Sequence, residues 1–416
     1  MDRSILHADI NNCYASIETL YHPELRDKPL VVGGDEERRH GIVLAKNYPA
    51  KAYGITTGES LLEARMKCPD LVVVPPDFDL YWRMCMAVRN IFLSYTDQVE
   101  PFGIDEAFLD ITGSLHLFGS AESVANEIRT RVREELGLTV SVGVSFNKVL
   151  AKLGSDMKKP DATTTLHRHD FREKIAPLPA SDLLYVGRAT SSKLAKYGIR
   201  TIGDMMKYDL EFYQYRFGKI GEYLYGYVHG MESSPVAKYG DTTPVKGIGN
   251  GITAPRDLLD LEDAAVVFYT LAESVCERLR EQGLLCRTVQ ISVRDSSLIS
   301  YQRQITLDNP TALSGVICKT ALQLFDASVC STRKIRGLGI HVTNLLPASG
   351  YYQQFSLFEE DSNEQNKILL ERTVDRLRQR FGRGIIYRGI VLSKPDIGCF
   401  DPRQHTIHPI GFLKGQ

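Results

Sequence analysis

No apolar run in this sequence approaches the ~18 consecutive residues needed to cross a membrane. The first stretch, MDRSILHADIN, has no apolar h-region and no small-residue cleavage site, so a signal peptide is not expected. The eight cysteines stand at 13, 68, 85, 276, 286, 318, 330 and 399, and no CxxC pair occurs among them. That pattern excludes the usual spacing of a structural zinc site or a disulfide framework and points to reduced thiols in a cytoplasmic protein. An excess of either charge is missing as well, since 50 Lys+Arg against 51 Asp+Glu leave a net charge of −1. This argues against a protein that coats nucleic acid, yet it leaves room for a local basic face beside metal-binding acids. Repeats and low-complexity segments are absent. What remains is an ordinary globular composition, 43% hydrophobic and 24% charged over 416 residues, long enough for about three domains.

The first part of the chain alternates strand and helix patterns. Residues 4–10 (SILHADI) read as a strand, 12–21 as a helix, and 79–95 as a longer helix with apolar residues at helical spacing. The segment QVEPFGIDEAFLDIT reads as two strands with Gly103 near the turn. A helix capped by Ser120, the strand LTVSVGVS, and a helix ended by Pro160 follow. Strand, helix, two strands, helix, strand is the split βαβ order of a ferredoxin-like sheet. The residues between the first two helices form an inserted subdomain. From about 167 to 235 the helices shorten and glycines mark the turns, and 233–244 reads as a linker. A second strand–helix unit fills 245–346, and a tail carries one further helix, KILLERTVDRLRQRFG.

The segment PFGIDEAFLD places Asp105, Glu106 and Asp110 in an apolar run. A carboxylate out of water needs a partner or a metal. Adjacent residues of a regular strand point to opposite faces, so Asp105 and Glu106 can share a ligand only where the strand bends or ends. Asp9, at the end of the first apolar strand, supplies the third acid if the two strands are neighbours. Three carboxylates at one rim suit Mg²⁺, and two such ions suit phosphoryl transfer. Asp110 receives at most a supporting role, a turn-capping one being equally compatible.

The segments ADINNCYASIE, AKNYPAKAYGI, GIDEAFLD and GVSFNKVLAKLGSDMKKPD resemble the motifs of Y-family translesion DNA polymerases, in the bacterial DinB and UmuC (UvrX-like) branches. The resemblance covers residues 1 to about 345 in order. It implies an α+β multidomain fold: a ferredoxin-like palm at 1–166 with fingers inserted at about 22–77, a helical helix-hairpin-helix thumb at 167–235, an α/β little-finger domain at 245–346, and a mostly disordered or helical tail at 347–416. It implies that Asp105 and Glu106 are catalytic, and that they, Asp9 and the Ile10 carbonyl hold two Mg²⁺ ions. Tyr14 matches the steric gate, where a flat ring under the sugar leaves no space for a 2′-hydroxyl. Tyr48, Lys51 and Lys159 match positions that clamp the triphosphate of a dNTP. Lys51 stands where many DinB relatives carry Arg, and with Asn11 this leans toward the UmuC-like branch.

Primer–template DNA is the implied partner. YVGRATSSKLAKYGI resembles a helix-hairpin-helix, with Gly187 and Arg188 at its second half and Tyr185 replacing the usual first glycine. RFGKIG adds Lys219 at a second glycine-rich turn. Residues 167–240 hold 11 Lys+Arg against 8 Asp+Glu, a local excess of three positive charges. Arg303, Arg333, Lys334 and Arg336 are the phosphate contacts expected of the little finger. QFSLF resembles the peptide by which bacterial polymerases hold the sliding clamp, through Gln354, Leu357 and Phe358; SOS accessory proteins are further implied partners. The sequence GGDEE at 33–37 is shared with diguanylate cyclases, but it falls in the insertion, and GIDEAF occupies the central hairpin. The reading is therefore an error-prone, template-directed DNA polymerase; the alternative is a non-catalytic DNA-binding or mutasome scaffold protein, against which the intact acid triad argues.

Overall fold

The computed structural model describes residues 2–34, 41–241, 244–325, 334–351 and 362–402. These residues fall into two units, divided after Asp241.

In the first unit, strand β1 (Ile5–Ile10) leads through a left-handed Asn12, φ 48°, into the helix Cys13–Tyr21. Asparagine tolerates that conformation better than most residues. Then come β2 (Leu30–Gly33), β3 (Val43–Lys46), the short helix Tyr48–Ala52 and β4 (Val72–Val74), which form a three-stranded sheet in the order β3-β2-β4. This insertion has its own small core of Val31, Val43, Ala50, Ile55 and Leu61. Leu30 and Val32, on the other face of β2, join the main core instead. The helix Phe78–Leu93 is capped by Asp77, whose side chain accepts from Leu80 N–H. It leads to β5 (Val99–Pro101), β6 (Glu106–Asp110), the helix Ala121–Leu136, β7 (Val140–Ser145), the helix Lys148–Met157 and β8 (Thr163–Thr165). The sheet order is β5-β6-β1-β7-β8, the ferredoxin-like arrangement with one added parallel edge strand.

Alternation along β1 sends its residues to two different neighbours. Leu6, Ala8 and Ile10 face the helices Phe78–Leu93 and Ala121–Leu136 in one large core. Ile5, His7 and Asp9 face the other way, beneath the helix Lys148–Met157, where His7 Nδ1 lies 2.8 Å from Ser155 Oγ. Gly143 makes that approach close, because a Cβ there would run into the Ala151 carbonyl oxygen. The same helix gives Val149, Leu150 and Leu153 to a further core with Leu194, Ile202, Tyr213 and Leu224, from the short helices between 171 and 228.

The second unit repeats the strand–helix–strand–strand–helix–strand order with a different sheet. Strands β9 (Gly247–Leu258), β10 (Leu284–Asp295), β11 (Ser300–Thr311) and β12 (Ile335–Pro347) lie in the order β11-β10-β12-β9, antiparallel throughout. The helices Leu261–Glu281 and Ser314–Leu324 cover one face, around Phe268, Leu271, Val289, Ile291 and Ile340.

The described part of the tail takes the helical of the two forms expected of it. Residues 362–402 include the helix Ser362–Phe381 and three short turns of helix to Gly398. The last two turns pack on the Leu261–Glu281 helix, with Ile397 in the core, and the rest is attached to it through ion pairs. Arg280 binds Glu371 and, at 2.6 Å, Asp375; Arg378 and Arg388 meet Glu273 at 2.8 and 2.6 Å; Lys394 meets Asp263 at 2.7 Å. Glu371 also accepts from the Ser314 hydroxyl at 2.6 Å. Helical periodicity announced the tail helix, but not that its acids turn inward to arginines about 95 residues away. Removing one member of such a half-buried set leaves its partners unpaired. Arg280→Met is expected to destabilise the second unit by about 3 kcal/mol, read as a lower urea midpoint at unchanged slope.

Candidate active site

The two central strands bring the first two acids together. Asp9 of β1 pairs directly with Glu106 of β6, and directly opposed residues share a face of the sheet. Asp105 lies just before the strand, in the bend 102–105, so it escapes strict alternation. The bend is held by backbone bonds: Ile10 N–H donates to Asp105 O at 3.1 Å, and the N–H groups of Phe102 and Gly103 donate to Glu106 O at 3.1 and 3.3 Å. A Cβ on Gly103 would lie 3.1 Å from Glu106 Cγ and 3.3 Å from Asp105 Oδ1, so glycine keeps the turn tight around both acids. Asp110 shares the face of Glu106 but pairs with Ile5 at the far end of β1. Its Oδ1 accepts from Thr112 N–H at 3.0 Å, the capping role.

Two lysines answer these acids. Lys152 Nζ lies 2.6 Å from Glu106 and 3.4 Å from Asp9; Lys159 Nζ lies 2.8 Å from Asp9. Both ammonium groups also reach Asp156, at 3.3 and 2.9 Å. Burial pulls the Lys152 ammonium down, but Glu106 and Asp9 outweigh it and raise its pKa. Burial alone pushes Glu106 up, yet His7 and Lys152 hold it at about 2. Asp105 behaves oppositely: burial, then the charges of Asp9 and Glu106, raise it to about 6. His7 Nε2 sits 3.2 Å from Glu106 Oε2, and burial lowers the pKa of its ring. Lys152, Asp156 and His7 were missed by sequence reasoning. The signal for Lys152 and Asp156 was helical spacing, and for His7 its place two residues before Asp9 on the same face of β1.

The donor chemistry fits a hard divalent cation, because two carboxylates already share one cationic group and a third lies beside them. Among the described residues, no three acid, histidine or cysteine side chains converge at metal-binding distance, since Asp9 and Glu106 turn onto the ammonium groups.

Tyr14 stacks on Tyr81 with ring centroids 4.3 Å apart and meets Phe78 edge-on at 6.1 Å. The neighbouring Cys13 has its Sγ 3.5 Å from Cys85 Sγ. Burial raises the pKa of Tyr14, which keeps the phenol neutral. Tyr48 and Lys51 belong to one short helix capped by the Asn47 side chain, with Lys51 Nζ 5.9 Å from the Tyr48 ring centre. Burial raises the pKa of the Tyr48 phenol, with Lys159 and Asp9 acting on it in opposite directions.

The expected DNA contacts are distributed over both units. Gly187 caps the helix Arg188–Ala195, and Gly218 caps the helix that begins at Lys219. Nothing lies within 4 Å of a Cβ built on either glycine, so both helix starts are open. Tyr185 adopts φ 67°, the glycine conformation, and is 61% exposed, so the replacement keeps the turn at the cost of strain. In the second unit Arg303 pairs with Ile291, a core residue, and Nη1 lies 3.5 Å from Leu324 O. It therefore sits on the helix-covered side, while Gln290 and Gln302 join across the open face at 2.8 Å. Lys334 is exposed and Arg336 half-buried beside β12. Arg333 and the peptide residues Gln354, Leu357 and Phe358 lie outside the described residues, as does GGDEE beyond Gly34.

The sheet thus opposes Asp9 and Glu106 at one rim, with Lys152 and Lys159 bonded to them. The family described as "impB/mucB/samB family" matches residues 8–156, its C-terminal domain matches 245–357, and the "DNA polymerase-iota, thumb domain" matches 181–232. The chain is 50% identical over 393 residues to "DNA polymerase IV" of Acetivibrio thermocellus, covering 94% of this chain and 98% of that protein. It is 37% identical over 402 residues to the protein of the same name from Clostridium acetobutylicum, covering 95% and 100%. The solved "Y-family DNA polymerase chimera Dbh-Dpo4(243-245)-Dbh" shares the fold, with TM-score 0.72 at 21% identity over 82% of this chain and 99% of that one. The chain belongs to the Y family of DNA-directed DNA polymerases. Both relatives carry the name of the DinB branch, so Lys51 does not by itself mark the UmuC-like one.

The two acid environments predict opposite stability effects in the metal-free protein. Asp105, ordinarily 3.8, is raised, so its stabilising protonated form is lost as pH rises from about 4 to 6. Glu106, ordinarily 4.5, is lowered, so its contribution is full above that value and lost as pH falls toward 2. At pH 7.5 Asp105→Asn should raise stability by about 1–2 kcal/mol and Glu106→Gln should lower it; paired urea titrations check both signs.

Proposed function

We propose that this polymerase extends a primer 3′ end by two-metal-ion chemistry and copies past damaged bases with low fidelity. The observation that carries the reading is the direct pairing of Asp9 with Glu106, with Asp105 released from the strand beside them. Asp9, Asp105, Glu106 and the Ile10 carbonyl would hold two Mg²⁺ ions. When bound, these supply activation of the primer hydroxyl and neutralisation of the leaving pyrophosphate.

The protein's own groups do the rest. Lys159 and Lys51 present point charges to the β- and γ-phosphates, and the Tyr48 hydroxyl, kept neutral by burial, donates to the triphosphate. Lys152 and Lys159 neutralise the acids until a stronger cation replaces them, which keeps like charges together at tolerable cost. Tyr14, fixed by stacking on Tyr81, closes the space a 2′-hydroxyl needs. The open helix starts at Gly187 and Gly218, with Arg188 and Lys219, hold backbone phosphates and fix register without reading sequence. Lys334, Arg333 and Arg336 add contacts to the duplex. The chain works in the cytoplasm on primer–template DNA, tethers to the sliding clamp through Gln354, Leu357 and Phe358, and acts with SOS accessory proteins.

In a primer-extension assay, Asp105→Ala or Glu106→Ala should lower the rate at least about 10²–10³-fold with primer–template affinity retained. Extension at full rate would remove the acids from the reaction. Tyr14→Ala should admit ribonucleotides, read as a collapse of the dNTP-to-NTP ratio of kcat/KM. Leu357 and Phe358 changed together to Ala should abolish retention on immobilised clamp without altering single-turnover extension.

A further inference from the structure

The helix Phe78–Leu93 carries a buried cation that the reaction above does not use. Arg89 is 2% exposed. Its Nη2 donates to the carbonyl oxygens of Gly103 and Ile104, both at 3.2 Å, and Nη1 approaches Met86 Sδ at 3.7 Å. These two carbonyls belong to the bend that frees Asp105 from the strand. The amides of the bend are held by Glu106 O, and Arg89 answers its carbonyls. Both bonds come from the one Nη2 group, whose two hydrogens are fixed in the guanidinium plane, whereas an ammonium is a compact point charge on a flexible stem.

The phenol of Tyr239 stands close enough to the Arg89 guanidinium to favour its charged form, against the effect of burial. Tyr239 lies within the segment that the sequence presented as a linker. In the structure residues 236–239 form a strap beside β5, the edge strand of the palm sheet. Tyr239 N–H donates to Asp97 O at 2.9 Å, Lys238 pairs with Asp97 at 2.8 Å, and Gln98 Nε2 donates to Val236 O at 3.3 Å. Ala237 N–H donates at 2.8 Å to Glu100, which Lys148 also binds at 2.6 Å. Val236 packs with Ile5, Phe108 and Ala151 under the same sheet face that carries Asp9 and Glu106. The chain leaving the helix Lys219–Val228 is thus fastened beside β5, with Tyr239 next to the guanidinium that holds the bend at Asp105.

We infer that Arg89 is a positioning residue for the Asp105 bend, and that the strap 236–239 acts on the divalent-ion site through it. The inference rests on the reading that Asp105 and Glu106 bind the ions. Loss of the guanidinium frees two carbonyls and lets the bend relax, which weakens ion binding before it weakens DNA binding.

The test uses the full chain bound to a dideoxy-terminated primer–template and a non-hydrolysable dNTP, with Mn²⁺ as the probe and free Mn²⁺ counted by electron paramagnetic resonance. Arg89→Lys should raise the Mn²⁺ dissociation constant about 10-fold, and Tyr239→Phe about 3-fold, at unchanged primer–template affinity. Excess Mn²⁺ should restore extension in both. Tyr239 is 38% exposed and loses one hydroxyl, so this variant decides the matter alone if Arg89→Lys does not fold. Unchanged Mn²⁺ affinity in folded variants overturns the inference while the metal reading stands. A wild-type complex that binds no Mn²⁺ overturns both.

Discussion

Repulsion among three carboxylates at one sheet rim is the constraint around which the first unit is arranged. Asp9 and Glu106 oppose each other across β1 and β6, and Asp105 follows in the adjacent bend. Like charges this close cannot all ionise unless cations are supplied. The helix Lys148–Met157 and the residues just beyond it supply them, as Lys152 and Lys159. The result is uneven: Glu106 is held ionised by His7 and Lys152 against the effect of burial, whereas Asp105 is raised by burial and by its two neighbours. Such a pair of divergent carboxyls marks a site that trades stability for cation affinity.

Bringing that helix over the acids requires close backbone approach, and Gly143 permits it by leaving the Ala151 carbonyl oxygen unobstructed. The same helix contributes Val149, Leu150 and Leu153 to the core of the short helices beyond residue 170. One element therefore neutralises the acids and anchors the neighbouring helices. The strap at 236–239 returns from those helices to the edge strand and covers what would be an unpaired edge. In the second unit the tail plays a comparable part: its helix turns Glu371 and Asp375 inward to Arg280.

Much of this was legible in the chain. Period-two and helical apolar spacing marked β1, β6, β7 and the helices around them, because burial of one face imposes that spacing. Asp9, Asp105 and Glu106 stood out as acids in apolar company, and the need for a bend at Gly103 followed from strand alternation. The lysine partners did not stand out, since a lysine on a helix is ordinary until the helix is placed. The packing of the linker was not legible for the same reason: PVAKYG carries no periodic pattern, and its contacts are hydrogen bonds to residues about 140 positions away.

The sequence by itself determined the class of the fold and the three acids, because periodicity and the cost of a buried charge are local properties. Only the tertiary structure decided which groups neutralise those acids, that Arg303 lies on the helix-covered side of its sheet, that the tail is docked, and that Arg89 holds the Asp105 bend. Each of these depends on register or on which helix covers which face, and contacts between distant segments leave no periodic trace in either one.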